Sequence, residues 1–102
     1  MFIAKVKGNV VTTQKVDGMT GRKLLVIEPL RVDESKGNMT PTGRCFVAVD
    51  SLGAGTDDLV LVTQGSSARL TEDTAKAPVD CVVTGIIDTI TALGKPVYKK
   101  GR

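Results

Sequence analysis

A chain of 102 residues is long enough to bury one compact core and too short for a second. At 41% hydrophobic and 25% charged it has ordinary soluble usage, and no uninterrupted apolar run approaches the roughly 20 residues that a membrane-crossing helix requires. Its 14 lysines and arginines against 11 acids leave a net charge of +3 spread along the chain, with only a short basic cluster at Lys95, Lys99, Lys100 and Arg102, so the excess reads as solubility.

Apolar residues recur at two-residue spacing in short blocks, and no segment sustains a helical repeat, which predicts an all-β protein. The first predicted strand runs from Phe2 to Thr12. Its opening alternates without a basic region, apolar stretch and cleavage site, so no secretory signal is expected and the cytoplasm is the expected compartment. The turn-forming run Asp17-Gly18-Met19-Thr20-Gly21 precedes a second strand, Lys23 to Leu30. Asp33 through Gly43 reads as another turn-rich stretch, followed by strand Arg44 to Asp50 and the turn Ser51-Leu52-Gly53-Ala54-Gly55. A strand from Leu59 to Thr63, an irregular connection from Gly65 through Pro78, a long strand from Val79 to Ile90 and a weaker one at Pro96 to Lys99 complete the chain.

Gly8 and Gly85 fall inside strand-like runs, where glycine suits a sharp bend, so both fit a small, highly curved barrel. Together these elements predict a small five-stranded OB-like barrel with short irregular or helical connections. Residues 1–90 form its single domain and residues 91–102 a tail, either a short strand or disordered.

One face of an antiparallel strand normally meets water, yet several strands here are apolar on both faces. From Val79 to Ile90 one face carries Val79, Cys81, Val83, Gly85 and Ile87, the other Val82, Thr84, Ile86 and Ile90. Leu59 and Leu61 oppose Val60 and Val62 in the same way, and Leu24 to Ile27 is continuously apolar. Each aliphatic side chain is worth about 1.5 to 3 kcal/mol on burial, so an oligomer is expected. The connection from Gly65 to Pro78 and the tail would cover part of the second face.

Histidine is absent, which removes the usual general base and the commonest transition-metal ligand. Asp50, Asp57, Asp58, Asp80 and Asp88 sit at strand ends or turns, where hydrogen bonding to backbone accounts for them. Gly53-Ala54-Gly55 and Gly65-Ser66-Ser67 lack the spacing of phosphate-binding loops and read as tight turns. Of the three aromatics, Phe2 and Phe46 are expected in the core, leaving Tyr98 as the one platform for base stacking, so an OB-like nucleic-acid-binding module stands as the alternative reading and not the leading one. Cys45 and Cys81 lack CxxC spacing and are expected as buried free thiols. No enzyme activity, cofactor, metal, nucleic-acid or membrane partner is expected.

Ile3 through Thr13, followed by Gly21-Arg22-Lys23-Leu24-Leu25-Val26-Ile27, resembles the opening of the CcmL/EutN family of microcompartment vertex proteins. Val47-Ala48-Val49-Asp50-Ser51-Leu52-Gly53-Ala54-Gly55 with Leu59 to Val62, then Gly65-Ser66-Ser67-Ala68-Arg69, Pro78-Val79-Asp80 and Gly85-Ile86-Ile87-Asp88, extend the resemblance over nearly the whole chain. Many members continue the Gly-Ala-Gly turn with one further residue and then Gly, whereas Thr56-Asp57-Asp58 follows here. The resemblance implies a homopentamer that closes the five-fold vertices of a polyhedral shell built mainly from hexameric shell proteins. It makes Gly53, Ala54, Gly55, Gly65, Ser66, Ser67, Ala68 and Arg69 candidates for the subunit interface or five-fold axis. On that reading a bulky residue in place of Ala54 would clash between subunits and weaken assembly while the barrel stays folded.

Overall fold

Strand-forming residues at two-residue spacing build eight strands among the residues described by this computed structural model, 1–12, 22–33, 35, 38–65, 80–92 and 94–100. They are β1 (Phe2–Val10), β2 (Lys23–Asp33), β3 (Asn38–Pro41), β4 (Phe46–Asp50), β5 (Leu59–Gln64), β6 (Cys81–Ile86), β7 (Thr89–Ala92) and β8 (Lys95–Lys99). Hydrogen-bonded neighbours run β1, β5, β6, β4, β2, and β2 pairs back onto β1, so these five strands close into a barrel. Closure depends on one parallel contact, Val49 of β4 against Val82 of β6; the other barrel pairs are antiparallel. This is the expected five-stranded OB-like barrel, and no α-helix occurs among the described residues.

The inner face is aliphatic and tightly filled. Ala4 and Val6 of β1, Leu25 and Ile27 of β2, Ala48 of β4, Val60 and Val62 of β5 and Val83 of β6 form one buried cluster. Ala4 on β1 and Ala48 on β4 against Leu25 and Ile27 on β2 suit the interior of so narrow a barrel. Register shifts fall at both expected bends, between Val6 and Gly8 on the β1–β2 pair and beside Gly85 on the β5–β6 pair. An unpaired residue at each bulge adds the local twist that bends the strand around the barrel.

Two expectations are corrected. The segment from Val79 to Ile90 is not one strand: β6 ends at Ile86, and the chain turns at Ile87, whose N–H donates to the Leu59 carbonyl at 2.9 Å, before β7 pairs with β8 in a separate hairpin. The stretch Asp33 to Gly43, read as turn, contains the end of β2 and all of β3. Leu30 lies opposite Pro41 while Ile27 lies opposite Phe46, so residues 28 and 29 of β2 face residues 42 to 45. β3 and β4 are thus one hairpin arm interrupted by an insertion. The insertion is held by Pro29, whose carbonyl accepts from Thr42 N–H and Oγ1, and by Glu28, whose carboxylate accepts from Gly43 N–H. Beyond Pro29, β2 pairs only with β3, and the two continue past the barrel as a two-stranded ribbon.

The insertion also changes two side chains. Cys45, expected buried, is exposed because it belongs to no ladder, whereas Cys81 is partly buried against the core; neither is in a disulfide. Phe46, likewise expected inside, begins β4 at the barrel mouth and stays 41% exposed, with the Arg44 guanidinium 5.8 Å from its ring centroid. Phe2 packs against the core as expected.

Part of the second apolar face is already buried within one chain. Leu24, Val49 and Val82 alternate with inward-facing neighbours and therefore lie on the outer surface, yet they form a buried cluster joined by Val10. Val47, two residues before Val49, is 53% exposed. The covered row sits at one end of the barrel.

Candidate subunit-contact site

The turn after β4 is organised by a buried carboxylate. Asp50 ends the strand with 2% of its surface exposed, and its Oδ1 accepts from Leu52 N–H at 2.8 Å while Oδ2 accepts from Ala54 N–H at 2.7 Å and Gly53 N–H at 3.2 Å. One anion satisfies three backbone donors that the reversal would leave unpaired, the use to which Asp is suited at a tight turn. Gly53 supplies the left-handed backbone, φ +88°, that lets all three donors converge.

A second carboxylate fixes the following residues. Asp58 Oδ2 accepts from Gly55 N–H at 2.9 Å and Asp58 N–H donates to the Gly55 carbonyl at 3.1 Å. The loop is then stitched to β1, with Val6 N–H donating to Asp58 O and Asp57 N–H to Val6 O. From β2, Lys23 Nζ donates to the Ala54 carbonyl at 2.9 Å. The result is a rigid tab in which Leu52 is 50% exposed and Gly53 faces solvent while the Ala54 methyl is completely buried.

Ala54 therefore corrects one expectation. Its side chain is part of the barrel's own core, so a bulky replacement would already clash inside the subunit. The departure at Thr56-Asp57-Asp58 is explained too: Asp57, at the position where the resembling family often places glycine, has φ 74°. Aspartate tolerates that conformation better than most residues, and so it stands in for glycine. The other half of the candidate site is described only at Gly65, with φ +71° and its N–H donating to the Asp80 carbonyl at 2.8 Å; Ser66, Ser67, Ala68 and Arg69 lie outside the described residues. The two halves thus follow β4 and β5, which are separated in the barrel by β6.

Among the described residues no group of three or more His, Cys, Asp or Glu is placed to hold a metal ion. An open cleft of about 550 Å³ lies between the ribbon and the β7–β8 hairpin, walled by Leu30, Met39, Val97 and Tyr98, with the exposed Lys5–Asp57 pair at 3.8 Å on its rim. Tyr98, the expected stacking platform, is a part of that wall. Burial, and after it the neighbouring Asp80 charge, pushes the Cys81 thiol above the ordinary thiol range, which makes it a poor nucleophile.

The family model described as ethanolamine utilisation protein EutN/carboxysome matches residues 1–88. The chain is 43% identical over 100 residues to the bacterial microcompartment shell vertex protein EutN of Salmonella typhimurium, covering 98% of this chain and 96% of that protein. It is 42% identical to the carboxysome shell vertex protein CcmL of Gloeobacter violaceus, and a solved structure of Gloeobacter violaceus CcmL aligns over 100% of both chains with a TM-score of 0.85. The GrpN pentameric microcompartment shell protein from Rhodospirillum rubrum aligns at 39% identity with a TM-score of 0.75, covering 91% of this chain and 100% of that one.

Proposed function

Since the chain belongs to the EutN/CcmL family, we propose that it is a structural subunit, five copies of which form a ring that caps a five-fold vertex of a bacterial microcompartment shell. The observation that carries this reading is the match, over nearly the whole chain at about 40% identity, to shell vertex proteins and to a pentameric shell protein of the same barrel fold. Its partners are four further copies of itself and the hexameric shell proteins that tile the facets. The barrel's last strand ends at Ile86, and the β7–β8 hairpin, which straddles the boundary expected at residue 90, follows the barrel as an appendage.

The role is non-enzymatic. Histidine is absent, and the two carboxylates best held in the candidate site, Asp50 and Asp58, are consumed in binding backbone N–H groups of their own turn. In the ring, Gly53 and Gly55 allow close backbone approach between subunits, and the element Gly65, Ser66, Ser67, Ala68 and Arg69 lies with them near the subunit boundary or the axis. Ala54 contributes from below, by anchoring the tab.

Native mass spectrometry with light scattering tests the assembly. A mass of five subunits that does not change with concentration is expected, and co-expression with hexameric shell proteins should convert open assemblies into closed ones. A persistent monomer would sink the vertex reading.

A further inference from the structure

Strand pairing sorts the outer surface of the barrel into two separate apolar patches. Leu25 and Ile27 point inward, so Val26 points out, and it is flanked across the ladders by Gly8 on β1 and Val47 on β4. Ala4 and Val60 point inward, so Ile3 and Leu61 point out, and Leu61 has Gly85 of β6 on its other side. The first patch is centred on β2 and the second on β5, the two strands that flank β1.

A charged band divides them. Lys5 is opposite both Glu28 and Leu59, and Lys7 reaches Glu28 at 3.8 Å, so the outer positions of β1 between Ile3 and Gly8 are ionic. Val47 is 53% exposed and Val26, Ile3 and Leu61 are partly exposed, whereas the row of Leu24, Val49 and Val82 is buried.

The two patches also differ at their glycines. A Cβ added at Gly8, beside Val26, would meet nothing within 4 Å, whereas at Gly85 it would lie 3.7 Å from the Leu61 Cβ, an ordinary packing contact.

We infer that ring closure joins the Gly8–Val26–Val47 patch of one subunit to the Ile3–Leu61–Gly85 patch of the next. The inference rests on the pentamer reading. A ring with odd symmetry requires heterologous contacts, in which one patch meets a different patch and each subunit presents both. A single patch pairing with itself would stop at a dimer. The chain carries two apolar patches of different composition, set apart by the Lys5, Lys7 and Glu28 charges. The occupant of each is a second copy of the chain, in line with the pentameric relative.

The test uses Val47→Asp and Leu61→Asp, with Ile3→Asp as an alternative on the second patch should the Leu61 variant not fold. Circular dichroism first establishes that each variant retains the β-sheet spectrum of the parent. Each alone should have the mass of one subunit, because each lacks one half of every contact. Mixed in equal amounts they retain one intact pair of patches between them, and a dimer containing one of each should form and grow no further. A folded variant that remains pentameric would remove its patch from the interface, and a mixture that stays monomeric would show that the two patches do not meet. A parent protein that is itself monomeric would overturn the pentamer reading, a failure distinct from these.

Discussion

Asp57 holds a backbone conformation that costs an ordinary L-residue roughly 1–2 kcal/mol, because its Cβ crowds the following carbonyl. Its own ion pair with Lys5 spans 3.8 Å at an exposed site, with Asp57 79% exposed, and returns little. Asp57→Ala should therefore lower the urea midpoint, while Asp57→Gly should hold or raise it; the gap between the two variants should be about 1 kcal/mol. Equal stability of both would mean that position 57 is not strained. Ala54 behaves oppositely, since its methyl is packed and its backbone is bridged by Asp50 and Lys23. Ala54→Leu overfills the core and should cost about 1–3 kcal/mol of subunit stability at every protein concentration. Dissociation of that variant into stable, folded monomers would instead locate the clash between subunits.

Five strands could be read from the alternation of apolar residues because each is half of a buried ladder, and the pattern follows burial directly. β3 could not, because Asn38, Thr40 and Pro41 carry turn chemistry and the strand is paired on one side only, in a ribbon that projects from the core. The insertion between β3 and β4 was hidden for a related reason: Cys45 continues the apolar block in sequence but, like Arg44 before it, lies outside the ladder. The candidate turn was visible as Asp-x-x-Gly-Ala-Gly, whereas the burial of Ala54 depends on the tertiary position of the tab and leaves no local signal. The displaced insertion gives a chemical prediction. A maleimide should modify Cys45 in the folded protein well before Cys81, and mass spectrometry after proteolysis distinguishes the two; preferential modification of Cys81 would contradict the placement of both. The raised Cys81 pKa also has a sign in folding. Above the ordinary thiol range the unfolded chain loses a proton that the folded chain keeps, so the stability this group contributes at lower pH is lost as pH climbs through the raised value. Replacing Cys81 with Ala should flatten that alkaline decline relative to the parent.

Closure of the barrel and closure of the ring make different demands on the same short strands. The inner faces are spent on Ala, Val, Leu and Ile that fill a narrow interior, so whatever holds subunits together must be displayed on the outer faces or on the loops. One end of the outer surface is already covered within the chain, and the remaining apolar positions are interleaved with Lys5, Lys7 and Glu28. Apolar contact and ionic contact respond to salt in opposite directions. Raising sodium chloride well past physiological strength screens exposed ion pairs, whereas sulfate strengthens the burial of apolar surface. If Val26, Val47, Ile3 and Leu61 carry the ring, the pentamer should persist through a sodium chloride titration and become harder to dilute apart in sulfate. A ring held by the charged band would fall apart progressively as salt rises, because Lys5 and Lys7 are 40% and 47% exposed and bridge their partners only at 3.8 Å. Light scattering across the two titrations separates the cases, and dissociation in sodium chloride would place the cohesion of the vertex in its lysines and not in its aliphatic patches.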